Sequence, residues 1–233
     1  DHRKMSKRWG NVINPLDVIA QYGADTLRMY EMFMGPLDQM KAWNVASVAG
    51  IYRFLTRVWN LAYARIHGDE KGNISDREVQ VALHKAIKKV TEDIPALKFN
   101  TAIASCMEFI NVWEDKGSHA LCIADVESFL KILAPYAPFM TEELWFLAGH
   151  TDSIHHASWP SYEASLLVSE TIEVPVQVNG RVRGTLIIST DMVDNEELVV
   201  AQAQMLEGVK RFLTSQIIKT IYVPGKILNI VCS

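Results

Sequence analysis

Apolar residues recur at spacings of three and four along most of this chain, and at spacings of two only near its end. Between Asn44 and His67, the residues Val48, Ile51, Tyr52, Leu55, Val58, Trp59, Ala62 and Ile66 share one stripe, which predicts a long amphipathic helix. Val79, Leu83, Ile87, Val90 and Ile94 predict a second helix. The capping-box sequence Ser75-Asp76-Arg77-Glu78 opens it and Pro95 closes it. Ile103, Met107, Ile110 and Trp113 predict a third, from a cap at Asn100 to about Glu114. A fourth runs from Leu121 to Ala134, where Pro135 and Pro138 interrupt it, and Thr141 caps a short fifth from Glu142 to Ala148. Upstream, Asn14 and Pro15 open a short helix that Gly23 closes, and Asp25 caps another from Thr26 to Met34. The natural solution for Trp43 to about Gly149 is an antiparallel helix bundle.

The period changes at about Thr171. Ile172, Val174, Val176 and Val178 alternate with polar residues, Asn179-Gly180 is a strong hairpin turn, and Arg181 to Ile188 returns as a second strand. Pro175 places the first strand at an edge, at least locally. Helix follows at Glu196 to Gln204 and Val209 to Ser215, broken near Gly208. Two more strands, Ile218 to Val223 and Ile227 to Val231, turn at Pro224-Gly225. The fold expected is therefore multidomain and mainly α: a helix bundle followed by a small α+β domain of order ββαββ. Ser158 to Ser169 reads as a linker lying over the bundle, anchored by Trp159-Pro160. The expected boundaries are residues 1–42, 43–160, a linker at 161–170, and 171–233.

Composition narrows the function classes. The chain has 233 residues, 49% hydrophobic and 21% charged, with a net charge of -4, so any nucleic-acid contact must use local basic patches. Arg53, Arg57 and Arg65 lie off the apolar stripe of the long helix and can form one such face. Arg181 and Arg183 are two apart on a strand and so share a face, with Lys210, Arg211, Lys219 and Lys226 as further candidates. Cys106, Cys122 and Cys232 are far apart without CxxC spacing, which argues against disulfides and a zinc site. His155 and His156 are adjacent and read as loop residues, not metal ligands. No apolar run approaches the roughly 20 residues that span a bilayer.

No catalytic triad, paired catalytic carboxylates, P-loop or GxGxxG can be assembled. The chemistry rests on the opening stretch, His2-Arg3-Lys4-Met5-Ser6-Lys7-Arg8-Trp9-Gly10-Asn11, where lysines in a short loop suit a clamp for polyphosphate. The chain begins at Asp1 inside this motif, which reads as a piece of a longer protein.

Lys4-Met5-Ser6-Lys7-Arg8 resembles the KMSKS signature of class I aminoacyl-tRNA synthetases, and Tyr22-Gly23-Ala24-Asp25-Thr26-Leu27-Arg28 follows at the family's distance. Tyr30 to Leu37, Val176 to Gly184, Val223 to Lys226 and Asn229 to Val231 look specifically like the bacterial-type leucyl-tRNA synthetase family. The resemblance covers essentially the whole chain. It implies a loop that closes over ATP during leucine activation, with Lys4 and Lys7 as the catalytic lysines and Met5, Ser6 and Arg8 also at the ATP. Arg8 stands where the signature usually has Ser. The resemblance further implies ATP with Mg2+ as substrate, tRNA(Leu) as partner, a monomer, and a cytoplasmic location without membrane contact. Residues 1–42 would be the signature loop and stem-contact region, the bundle an anticodon-binding-type domain, and the tail a tRNA-contacting domain. Arg53, Arg57, Arg181, Arg183, Lys210, Arg211 and Lys226 become the candidate tRNA contacts. The piece lacks the nucleotide-binding half and is expected to be inactive alone. A free-standing tRNA-binding module and an isoleucyl or valyl relative remain the alternatives.

Overall fold

The computed structural model describes residues 5–36, 38–39, 41–68, 74–167, 171–213 and 216–233. The protein is mainly helical with one small mixed sheet, and it divides into two compact units, Asp1–Leu167 and Val168–Ser233.

The first unit has eight helices among the described residues: α1 (Pro15–Tyr22), α2 (Ala24–Phe33), α3 (Val45–His67), α4 (Arg77–Asp93), α5 (Phe99–Lys116), α6 (Ile123–Leu133), α7 (Pro138–Leu147) and α8 (Ala164–Leu167), the last inside the stretch expected to be a linker. They enclose one continuous core from α1 to α7. Trp113, Phe109 and Phe129 form its aromatic centre, with Phe109 and Phe129 centroids 4.7 Å apart. Met29 is fully buried, so at least one of the methionines of α2 is packing material.

Several helix starts differ from expectation, in some cases because a polar side chain serves another segment. Asn14 and Asn44 do cap their own helices, accepting from the Leu16 and Ala46 N–H groups. In α4, however, Asp76 is the cap, accepting from the Glu78 and Val79 N–H groups. Ser75 instead accepts from the Cys122 N–H at 2.8 Å and donates to Asp125, joining the start of α6. Glu78, expected to complete a capping box, pairs with Lys116 of α5 at 2.7 Å. The α5 helix starts at Phe99 with no side-chain cap, so Asn100 lies inside it. Thr141 is also interior: it is buried in α7, and its hydroxyl donates to the Ala137 carbonyl. Pro138 occupies the first turn of α7, three residues before the expected cap.

The segment after α7 lies along α4. The Trp159 indole donates to Thr91 at 2.8 Å, and the Glu163 N–H donates to His84 Nδ1 at 3.0 Å.

The second unit holds β1 (Thr171–Val178), β2 (Arg181–Ser189), α9 (Glu196–Met205), α10 (Glu207–Lys210), β3 (Ile217–Val223) and β4 (Ile227–Cys232). The sheet order is β2-β1-β4-β3. β1 is antiparallel to β2 and parallel to β4, and β3 is antiparallel to β4. Val174, Val176, Val178, Leu186, Ile188, Leu228 and Ile230 form a core with Val199, Ala203 and Val209 of the two helices.

β1 is therefore an interior strand, but at Pro175 its β4 side is unpaired, a local edge as expected. The proline is tolerated because β4 pairs with β1 only from Val176 to Val178, so no ladder bond to β4 is asked of Pro175. The second helix is also shorter than expected and begins earlier: Gly208 lies inside α10, which ends at Lys210, while Ser215 lies outside the described residues.

Gly208 is explained by close approach. A Cβ there would sit 2.3 Å from the Arg183 carbonyl oxygen of β2. Gly208→Ala should push α10 off the sheet and destabilise the second unit by about 1–3 kcal/mol, the usual range for overpacking. Urea unfolding of the chain checks this, and an unchanged midpoint would remove the close-approach account.

Candidate functional site

The opening loop folds on itself through short polar contacts. Ser6 accepts from the Arg8 N–H at 3.1 Å and caps a 3-10 turn at Lys7–Trp9. The Trp9 N–H returns to the Ser6 carbonyl, and Gly10, at φ 63, closes the turn by donating to the Lys7 carbonyl. Asn11 then accepts from the Ser6 N–H at 2.9 Å. The turn leaves Met5, Lys7 and Arg8 exposed, and among the described residues no carboxylate pairs with either cation. The Arg8 guanidinium lies 5.5 Å from the Trp9 ring. Lys4 lies outside the described residues. Ser6 thus supports the loop's shape, and Asn11 is a supporting residue that the motif alone did not reveal.

Behind the loop, α1 leads into α2 through Gly23 at φ 86. Asp25 does not cap its own helix. It lies buried in the first turn of α2 and accepts from the Phe139 and Met140 N–H groups at 3.3 and 2.7 Å, so it caps α7. Arg28 donates to the Pro135 carbonyl at 3.2 Å beside it. Burial pushes the Asp25 carboxyl above the usual carboxylate range, against the opposite pull of those two amides and Arg28.

The three arginines of α3 separate. Arg53 is exposed. Arg57 is held by Glu114 and Asn111 of α5, both at 2.8 Å. Arg65 is buried and donates to the Leu121 carbonyl, so it is a structural tie and not part of a basic face.

In the second unit the regular alternation behind the expectation that Arg181 and Arg183 share a face is interrupted. β2 pairs Gly184 with Val176 but Val182 with Gln177, so a bulge skips Arg183 and breaks the alternation. Arg181 lies opposite Val178, and the Arg183 guanidinium sits 3.6 Å from the centroid of Phe212. Lys210 and Arg211 are exposed beside Phe212. Lys226 ends the turn into β4, four residues before Ile230, and so about 13 Å along the strand from the level of Arg181. Lys219, on edge strand β3, is opposite Val231. These cations do not converge on one spot: Arg183, Lys210 and Arg211 form a group, and Lys226 lies apart. Phe212 is not among the residues that the sequence motifs single out, although an aromatic directly after Lys-Arg is a usable signal.

Two clefts accompany these features. One, of about 650 Å³, lies between α4 and α5 and is lined by Lys85, Lys89, Thr101, Ser105, Glu108 and Phe109, among others. The second, of about 450 Å³, is apolar and includes Tyr22, Tyr52, Trp59 and Phe139. Among the described residues, no group of three or more His, Cys, Asp or Glu is placed to hold a metal ion, and no helix is long and apolar enough to cross a membrane. Burial pushes the Cys106 thiol up to about 12, which makes it an unreactive core residue.

Sequence comparison defines the class. Residues 76–199 match the family described as the anticodon-binding domain of tRNA ligase, and residues 1–43 match the family of class I tRNA synthetases for I, L, M and V. The chain belongs to the anticodon-binding-domain family of tRNA ligases. Within that class it is 44% identical to the leucine--tRNA ligases of Chlorobaculum parvum and Chlorobaculum tepidum over 98% of its length. The chain spans 28% of the length of these relatives. A crystal structure of an Agrobacterium radiobacter LeuRS in ternary complex with tRNA and LeuAMS covers the whole chain with a TM-score of 0.78 at 30% identity, and the chain spans 31% of it.

The Asp25 geometry makes a pH prediction. A carboxyl whose folded pKa is raised is proton-hungry in the fold, so its ionisation weakens the fold as pH rises from its ordinary value of 3.8 through the raised one. Asp25→Asn removes this slope, and its stability relative to the native chain should climb across that window and then level off. Asp25→Ala should lose about 1–2 kcal/mol at neutral pH, because two helix N–H groups lose their acceptor. Urea titrations of both variants from about pH 4 to 8 measure the difference.

Proposed function

We propose that this chain is the C-terminal part of a leucine--tRNA ligase, supplying the signature loop at the ATP site and surfaces on which tRNA(Leu) docks. The parent enzyme activates leucine with ATP to leucyl-adenylate, releases pyrophosphate, and transfers the leucyl group to tRNA. The observation that carries this reading is 44% identity over 98% of the chain, with signature residues in order from the first positions.

The local chemistry agrees. Exposed Lys7, on a turn braced by Ser6 and Gly10, would meet a triphosphate and follow negative charge onto departing pyrophosphate. Lys4 would act with it, and Met5, Ser6 and Arg8 would line the same contact. Mg2+ would arrive on the phosphates of ATP. Residues 1–42 would close the catalytic region, 43–160 would form an antiparallel anticodon-binding-type bundle, 161–170 would link, and 171–233 would form a ββαββ-type tRNA-contacting domain. Among the cations proposed to meet tRNA, Arg53, Arg181, Arg183, Lys210, Arg211 and Lys226 make no ion pair among the described residues, whereas Arg57 must exchange Glu114 for phosphate. The enzyme would act as a cytoplasmic monomer.

Leucine-dependent ATP–pyrophosphate exchange tests both parts. The isolated chain should show none. In the ligase that contains it, Lys7→Ala should slow exchange by on the order of 10²-fold or more, the scale for deleting a donor aimed at developing charge. Exchange by the chain alone, or an unaffected Lys7 variant, would overturn the assignment.

A further inference from the structure

The second unit contains an arginine whose placement its own fold does not require. Arg183 is the residue skipped by the β1–β2 pairing, so its side chain is released from the alternation that directs its neighbours. Its Nε is shut away from solvent without an acceptor, and no carboxylate among the described residues pairs with it. Leaving a guanidinium N–H buried and unpaired is unfavourable, so another contact must hold the group there. That contact is Phe212, whose ring centroid is 3.6 Å from the guanidinium carbon.

The ring is itself fixed in place. Gly208 lets α10 approach the Arg183 carbonyl, and the Phe212 N–H bonds to the Val209 carbonyl at 2.9 Å, in the turn that follows. The Val209 side chain is fully buried against the sheet. The same short stretch brings exposed Lys210 and Arg211 beside Phe212, neither in an ion pair among the described residues. The result is a planar donor laid on an aromatic surface, with two more cations next to it. Planar guanidinium donors with neighbouring point charges suit a phosphate group.

We propose that Phe212 is a positioning residue: its ring holds the Arg183 guanidinium in the orientation that receives an RNA phosphate, with Lys210 and Arg211 adding charge beside it. The proposal rests on the reading that this part of the chain docks tRNA.

The test is binding of the 233-residue chain to a tRNA(Leu) transcript, followed by fluorescence anisotropy over a range of salt concentrations. Arg183→Ala should weaken binding by roughly 10-fold and reduce the salt slope by about one, as expected for one lost phosphate contact. Phe212→Leu, which keeps apolar bulk but removes the ring face, should reproduce both effects. Phe212→Tyr should restore affinity and slope, and combining Arg183→Ala with Phe212→Leu should be no worse than either alone. Thermal melts of all variants identify any loss of fold, and the Tyr variant keeps the test decisive if Leu is not tolerated. Native affinity and slope in Phe212→Leu, beside a weakened Arg183→Ala, overturns the positioning role and leaves tRNA docking standing. A chain that binds tRNA unaffected by either substitution overturns the phosphate site alone. A native chain that binds no tRNA at any salt overturns both this proposal and the docking reading.

Discussion

One carboxylate ties the front of the chain to its helical core. The N-terminus of α7 has no side-chain cap of its own, so its first amides would be left without partners against packed protein. Asp25 supplies acceptors to two of them from more than 100 residues away in sequence. Arg28, one turn later on α2, closes on the carbonyl of Pro135 just ahead of the same helix. α2 and α7 are thereby fixed end to end, and α1, which packs on α2, is carried with them. The raised Asp25 pKa shows that the tie is held against a desolvation penalty which its hydrogen bonds only partly offset. The match to the class I synthetase family ends at residue 43, so this contact joins the segment bearing the signature loop to the segment bearing the anticodon-domain match.

The same fact explains which features of the first unit were legible in the sequence. Apolar stripes identified α3 to α5 because burial of a helix face is set by residues on that helix, and a period of 3.6 survives any choice of neighbour. Capping oxygens were misassigned because a carboxylate or hydroxyl takes whichever amide the tertiary fold brings near. Asp25, Ser75 and Thr141 each stand where a local cap is plausible, yet they serve α7, α6 and their own preceding turn. Arg65 is the corresponding case for charge. Its place off the apolar stripe suggested a surface, but α3 is covered there, and the Leu121 carbonyl receives the guanidinium.

In the second unit, alternation identified four strands and the Asn-Gly turn, since Val174, Val176 and Val178 must reach one core. Asn179 adopts φ 51, and its side chain also accepts from the Cys232 N–H, so the turn is fixed by β4 as well as by its own preference. Sequence order could not reveal that β4 would lie parallel beside β1, nor that it would begin pairing just past Pro175. A bulge is equally silent: it adds one residue to a strand without a composition change, and a two-apart inference across it then loses its geometric warrant. At Arg183 the strand carries that single skipped pairing, so spacing alone does not relate it to Arg181. The signature loop was the more legible site, because its four-residue turn is closed by Ser6 and Gly10 themselves and needs no distant partner.

Charge placement decides how a chain of net charge -4 can meet a polyanion at all. At physiological salt, interactions between exposed charges fade over about 8 Å, so a phosphate responds to the cations beside it and hardly to the total. What matters is therefore which cations remain unpaired. Arg65 is withdrawn into the core, while Arg57 is engaged with a half-exposed Glu114. An exposed pair of this kind is worth about 0–1 kcal/mol, so phosphate can displace the carboxylate at little cost. Lys7 and Arg8 in one unit, and Arg183, Lys210 and Arg211 in the other, need no such exchange. Their mutual repulsion is tolerable because each group is small and solvated, and it weakens when a phosphate enters. If these cations meet phosphate as proposed, a chain built this way repels polyanions weakly at long range and attracts them at a few positions, which favours docking in register over diffuse adhesion.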